Sequence, residues 1–445
     1  MSEWFFPKAL VEGRVAHNVR VSSDAGVITE VTVDAQHDRH SFSGVAVPGF
    51  ANTHSHVFHR GLRGAGEGED FWSWRTEMYR LANRLDPDSY HRLARAAFAE
   101  MVAAGYTSVG EFHYVHHRPD GTPYPHHDME LAVVNAAVDA GIRITLLDTC
   151  YLHAGPGAPL GEDQTRFGDG SVKGWLERWH ALTDALPDSP LVTPGAALHS
   201  VRAVSPDEMA TAVSGLPDRA PIHVHVSEQP RENEECLAAH GLTPTAVLER
   251  AGALSNRTTV VHATHLSDDD IAMIARTDTI VSLCPTTEAD LGDGIARVKD
   301  LLDAEARLTI GTDEDVVTDP FAELRMLEST TRLATGTRGV IGCSSLWKIG
   351  FRYGVASLRP AAGPRPHQVS TPASDLAGLS VGDPADVVVD PSSARLAGVD
   401  PTRWPLAATA EDVTATIIAG EWIRRDDATA EDLRHVLNEL RGRDS

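Results

Sequence analysis

The 445-residue chain is short of lysine, of cysteine and of long apolar runs, and each shortage excludes something. Only Lys8, Lys173, Lys299 and Lys348 stand among the 39 basic residues; the rest are arginine. The four cysteines, Cys150, Cys236, Cys284 and Cys343, are scattered without CxxC spacing, which argues for free thiols in a reducing cytoplasm. No apolar run approaches the roughly 18 residues that would suggest a membrane span. The opening "MSEWFFPKAL" has no basic region followed by an apolar one, so no secretion signal is read and a cytoplasmic location is expected. A net charge of −24 disfavours nucleic acid and anionic membranes as partners, although its plainer reading is solubility.

What is present is an alternation of textures. Residues 1–47 carry short alternating runs such as "RVAHNVRV" and "GVITEVTV", which predict small strands. From Val45 onward, eight strand-like runs alternate with helix-period stretches: "VAVPGFANTHSH", "TSVGEFH", "RITLLDTC", "VTPGAALH", "PIHVHVSE", "TTVVHATH", "TIVSLCP" and "RLTIGTD". One intervening helix, "MELAVVNAAVDAG", ends at Gly141 as a helix C-cap would. Strand–helix alternation implies a parallel sheet covered on both faces, and eight units suggest an α/β protein of the (β/α)8 TIM-barrel type. After Arg359 a Pro/Ala-rich stretch reads as a linker; strand signals then return in "ADVVVD" and "VTATIIAGEWIRR", and a last helix follows Ala428. The expected organisation is a small β-sandwich domain built from both termini (1–47 and 365–427), a catalytic barrel (48–364) and a C-terminal helix (428–445).

The stretch "PGFANTHSHVFHRG" places His54, His56 and His59 close together after an apolar run. In a strand, residues i and i+2 face one side, so His54 and His56 would point together. Neutral imidazoles are common metal ligands, and two at this spacing can chelate a divalent ion. A hydrogen-bonded histidine pair is the competing reading. Other strand ends weigh against it: "PIHVHVSE" offers His223, His225 and Glu228, "TTVVHATH" offers His262 and His265, and "RLTIGTD" ends in Asp313. A barrel gathers the C-terminal ends of its strands into one place, which is where such folds keep their sites.

The stretches "PGFANTHSHVFHRGLRG", "FWSWRTEMYRLA", "AGYTSVGEFHYVHH", "LHSVRAV", "HVHVSEQ", "VHATHL" and "CPTTEADLGDGI" together resemble the amidohydrolase superfamily, in its mononuclear deaminase branch. Within that branch they are most similar to the formimidoylglutamate deiminases of histidine degradation. The resemblance implies hydrolysis of N-formimidoyl-L-glutamate to N-formyl-L-glutamate and ammonia. It implies one divalent metal ion, zinc first with iron or manganese as alternatives, held by His54, His56, His225 and Asp313. Glu228 then matches the proton-shuttling carboxylate and His262 the histidine that orients the nucleophilic water, so that Glu228, His262 and Asp313 form the catalytic set. His223 and His265 are left as structural. Binuclear relatives commonly carry a carboxylated lysine on the fourth barrel strand; "VTPGAALH" has none, which favours a single ion. A homodimer is implied by the same resemblance.

The implied substrate is a small dicarboxylate bearing a cationic amidine, and arginine forks with neutral donors are the groups that hold carboxylates. By resemblance, Tyr114, His199 and Arg202 contact it, with His59 in the loop after the first strand. Arg75, in "FWSWRTEMYR", is a further candidate whose competing reading is an ion-paired helix arginine. Two positions depart from the family pattern: His59 stands where glutamine is better known, and Glu314-Asp315 stand where Ser-His usually follows the aspartate. The Gly-rich "GLRGAGEGED" is the candidate closing loop. Two other readings remain open: a deaminase of a purine or guanidino acid, and a non-catalytic scaffold, which would normally have lost metal ligands.

Overall fold

The computed structural model describes residues 1–36, 41–64, 71–359, 377–390, 394–424 and 429–442. The Pro/Ala-rich stretch after Arg359 and residues 65–70 of the Gly-rich loop lie outside them. Four strands open the chain: β1 (Ser2–Val11), β2 (Arg14–Asp24), β3 (Val27–Thr32) and β4 (Val45–Pro48). Eight follow: β5 (Phe50–Ser55), β6 (Tyr106–His113), β7 (Arg143–Cys150), β8 (Val192–Ser200), β9 (Ile222–Val226), β10 (Thr258–His262), β11 (Ile280–Leu283) and β12 (Arg307–Ile310). Three close the chain: β13 (Val387–Asp390), β14 (Ala415–Ile418) and β15 (Glu421–Ile423).

Strands β5 to β12 pair in parallel, each with its sequence neighbour. Every residue of β5, β6, β7 and β9 is buried, as expected where helices cover the outside of a parallel sheet and side chains fill its inside. The ring closes between β12 and β5. The Thr312 and Asp313 amides donate to the His54 carbonyl (2.9 Å each), and the His56 amide donates to the Asp313 carbonyl (3.0 Å). Gly311 permits this approach, because a Cβ there would stand 2.7 Å from the His54 Cβ.

The helices follow local rules. Helix α1 (Phe71–Arg84) precedes α2 (Pro87–Ala104), which starts at an Asp86–Ser89 capping box with Pro87 in the first turn and stops at Gly105 in the left-handed region. Helix α3 (Asp128–Ala140) ends at a left-handed Gly141, and α4 (Val172–Ala185) starts at Ser171. The C-terminal helix Thr429–Gly442 lies on α2, with Arg92 bonded to Glu439 (2.7 Å) and Arg95 to Asp432 (3.1 Å).

The remaining strands form one sheet ordered β15-β14-β13-β4-β1-β2-β3, so the two ends of the chain meet where β4 pairs with β13. The first barrel-strand run is therefore divided: Val45–Pro48 belongs to this sheet and Phe50–Ser55 to the barrel. The crossing point is Gly49, where a Cβ would come within 2.2 Å of the Thr107 side chain. The sheet folds over on itself, since Ile28 and Ala385 donate to Asp383 and Gly26 carbonyls (2.9 Å each), joining β3 to the approach to β13. Phe6, Val19, Val21, Ile28, Val387 and Ile417 fill the enclosed core.

Arg143 and Asp386 fasten the sheet to the barrel. The pair is buried on both sides, with Nε 2.8 Å from Oδ2, and Arg143 also donates to the Gly26 and Pro190 carbonyls. Removing one partner strands the other charge, so Asp386→Ala should lower unfolding stability by about 3–5 kcal/mol. Denaturant titration checks this, and turnover by the folded fraction should be unchanged.

Candidate active site

Three imidazoles and a carboxylate meet at the seam of the barrel. The Nε2 atoms of His54 and His225 are 3.1 Å apart, and Asp313 Oδ1 lies 3.2 Å from His54 Nε2 and 3.5 Å from His56 Nε2. Four ligands at about 2.1 Å from a tetrahedral ion would be separated by about 3.4 Å, so these spacings suit a zinc-sized cation. His56 donates its Nδ1 hydrogen to the Phe112 carbonyl (2.8 Å), which turns the Nε2 lone pair inward. The Phe112 ring stacks on His225.

Electrostatics favours neutral rings here. Burial, reinforced by neighbouring histidines, pushes His54 and His225 well below the usual histidine range and His56 down to about 3. Three lone pairs and a carboxylate therefore face one point, an arrangement that a cation relieves. His262 differs. Burial works to lower its basicity, but Glu228, Glu288 and Asp313 outweigh it and push it up to about 10. Its Nε2 lies 3.8 Å from both Glu228 Oε1 and Asp313 Oδ2, and its Nδ1 lies 3.6 Å from Glu288 Oε1. Its surroundings thus favour the charged ring, beside a cluster whose surroundings favour neutral ones.

The backbone is bent to make this happen. Ser227, His262, Ala263, Asp313 and Asp315 all adopt positive φ (52°, 68°, 51°, 48° and 55°) at the ends of β9, β10 and β12. Each such non-glycine residue costs about 1–3 kcal/mol, and such costs concentrate where side chains must be aimed at a site.

The cavity above the cluster is lined by every residue expected to grip a substrate: His59, Arg75, Tyr114, His199 and Arg202. Glu228, His262 and Asp313 line it too. Arg202 is nearly buried, with Nη2 3.7 Å from Glu228 Oε2 and Nε 4.0 Å from Glu232 Oε2. Among the described residues its Nε has no hydrogen-bond partner, so the guanidinium keeps capacity for an anion. His59 Nε2 is 3.1 Å from the Tyr114 hydroxyl, and its buried Nδ1 is unpartnered among the described residues.

The cavity lining excludes the two histidines expected to be structural. His223 reaches Ser357 in the barrel interior, and His265 donates to the Asp293 carbonyl (2.9 Å). Glu314 and Asp315 are buried and do not line the cavity either. Asp315 turns inward to accept from Ser55 (3.0 Å) and Thr312, and burial pushes it up to about 7. Glu314 is pushed up to about 9 by burial and by Asp313.

Sequence reasoning missed Tyr79, Tyr151, Trp74 and Leu291, which also line the cavity, and Glu288 behind His262. Tyr151 had a usable signal, its place directly after the β7 strand end. Glu288 lay inside the quoted "CPTTEADLGDGI" but was not singled out.

Comparison with known proteins gives a consistent picture. Residues 45–359 match the amidohydrolase family. The chain is 37% identical to a formimidoylglutamate deiminase of Pseudomonas aeruginosa over 465 aligned positions, covering 99% of this chain and all (100%) of that protein. It is 27% identical to a 5-methylthioadenosine/S-adenosylhomocysteine deaminase of Haloarcula marismortui, covering 92% and 89% respectively. Among solved structures, an amidohydrolase of Brucella melitensis superposes with a TM-score of 0.89 at 31% identity, covering 99% of this chain and 100% of that one. An adenosine deaminase of Xanthomonas campestris with bound zinc shares the fold at a TM-score of 0.81 and 20% identity, covering 99% and 98%.

Proposed function

The chain belongs to the amidohydrolase family, and from that premise we propose that it hydrolyses N-formimidoyl-L-glutamate to N-formyl-L-glutamate and ammonia. The observation that carries the reading is the position of Arg202. A carboxylate held by its guanidinium places the attached chain beside Glu228, 3.7 Å away. Tyr114, His199, His59 and Arg75 complete the grip.

His54, His56 and His225, whose ring nitrogens are close enough to share an ion, would together with Asp313 hold one divalent ion, zinc first with iron or manganese as alternatives. Bound there, the ion would supply a water acidic enough to attack at neutral pH. Glu228 is placed to take a proton from the water that attacks the formimidoyl carbon. The carboxyl then returns that proton to the terminal nitrogen, Asp313 takes the remaining hydroxyl proton as the carbonyl forms, the C–N bond breaks, and ammonia leaves. His262 donates from Nε2 to orient the attacking oxygen. Its two carboxylate neighbours, Glu228 and Asp313, keep the donor aimed between them.

The same reading places the enzyme in the cytoplasm, in histidine degradation, acting as a homodimer. No helix among the described residues is long and apolar enough to cross a membrane. Ammonia release from N-formimidoyl-L-glutamate by metal-loaded protein, with glutarate as a competitor, tests the substrate. Purine or guanidino substrates turned over in preference, with no glutarate inhibition, would sink it. Arg202→Met should lower kcat/KM by about 10- to 100-fold, mainly through KM, because a charge-assisted fork is lost. Steady-state kinetics measure the split.

A further inference from the structure

We propose that Gln164 is a positioning residue for the substrate grip, one buried amide that sets both Arg75 and His199 through the phenols of Tyr79 and Tyr151. The inference rests on the dicarboxylate reading above and adds to it residues that reading does not contain.

Gln164 sits in a short 3-10 helix, Glu162–Phe167, and is almost fully buried. Its orientation is decided by its neighbours. The Gly161 amide can only donate, and it donates to Oε1 (3.1 Å). The amide nitrogen must then face the other way, where it donates to the hydroxyls of Tyr151 (2.7 Å) and Tyr79 (3.1 Å). Tyr79 also accepts from Arg75 Nε (2.6 Å), and the Arg75 guanidinium lies 5.2 Å from the Tyr79 ring centre. On the other side, the Tyr151 ring meets His199 edge-on at 4.2 Å. Arg75, Tyr79, Tyr151 and His199 all line the cavity. Gln164 stands behind them.

The polarity of this chain matters as much as its position. The Tyr79 oxygen receives two donors, Gln164 and Arg75, so its own hydrogen must point away from both. The Tyr151 oxygen receives from Gln164. Its own hydrogen is then available to a ligand in the cavity that Tyr151 lines with His199 and Arg202. A donor at that place suits a substrate carboxylate. Only a side chain that donates with one end and accepts with the other imposes this direction. Gln164→Glu would reverse it, because a carboxylate draws both phenolic hydrogens to itself. Gln164→Met would remove it with little change in volume.

The test is kinetic and binding work on the metal-loaded, full-length protein. Gln164→Met should raise KM for N-formimidoyl-L-glutamate about tenfold, and Gln164→Glu should raise it further, with kcat within about threefold of the parent. The Kd of glutarate, by calorimetry, should rise in parallel, while Tm stays within a few degrees. A structural role would lower Tm and the active fraction and leave KM alone, and that result overturns the inference. A fall in kcat at constant KM overturns it too, since Gln164 would then serve the chemical step. Should the parent fail to release ammonia from the formimidoyl compound, the substrate reading falls separately. Glutarate binding still decides Gln164: binding weakened by both variants upholds it, and no binding by the parent or no change in the variants overturns it.

Discussion

A protein carrying Glu228→Gln is expected to bind one metal ion and glutarate as the parent does, yet release ammonia about 10²- to 10⁴-fold more slowly. The amide copies the shape of the carboxyl and keeps a hydrogen-bonding partner for Arg202. What it cannot do is accept a proton from water and return it to the departing nitrogen. Glu228 is placed for both halves of that transfer, buried at the cavity floor with one oxygen 3.8 Å from His262 Nε2 and the other 3.7 Å from Arg202 Nη2. Single-turnover measurements alongside metal analysis read the outcome. A rate within tenfold of the parent would remove Glu228 from proton transfer. A variant lacking metal would make Glu228 a ligand instead.

The second large effect is expected from removing the ion. Dialysis against a chelator should bring turnover to background, and His225→Ala should do so without a chelator, with metal content falling below one ion per chain. Stability should fall as well. Burial lowers the basicity of His54, His56 and His225, and His54 Nε2 stands 3.1 Å from His225 Nε2 and 3.2 Å from Asp313 Oδ1, which is 3.5 Å from His56 Nε2. An ion present at about 1,000 times its Kd adds about 4 kcal/mol to a fold that binds it only when folded. Melting curves with and without chelator, followed by refilling with zinc, manganese or iron, separate the metals by activity and Tm. Full activity in a chelated sample would falsify the metal reading.

The site's outline was legible because its residues obey strand geometry. His54 and His56 fall on one face by a period of two, and His225, His262 and Asp313 close apolar runs that a barrel brings together. The terminal sheet was legible because the alternating runs at both ends match each other and not the middle. Other features depend on local geometry that pattern cannot carry. His262 and Asp313 reach the cavity by leaving the strand with positive φ, at 68° and 48°, which no periodicity announces. Val45–Pro48 belongs to the other sheet because Gly49 lets the chain cross where Thr107 leaves no room for a side chain. Gln164 was invisible because it acts from an irregular segment and through other residues. Glu314 and Asp315 looked like extra charge beside the site. Their side chains are buried away from the cavity, a matter of side-chain direction that spacing alone does not give.

The seam where β12 meets β5 has a consequence for how the molecule comes into being. The hydrogen bonds that close the barrel join residues near 54 to residues near 313, so closure requires contacts of very long sequence separation. Such contacts form late, after nearer pairings have shortened the loop that must be ordered. During synthesis the first strand must wait, unpaired on one edge, until the eighth has emerged. Since His54, His56 and Asp313 sit on that edge, the protein gains its chemistry only when the ring is complete. A nascent chain ending before Asp313 would display a sticky strand and two histidines, and would catalyse nothing.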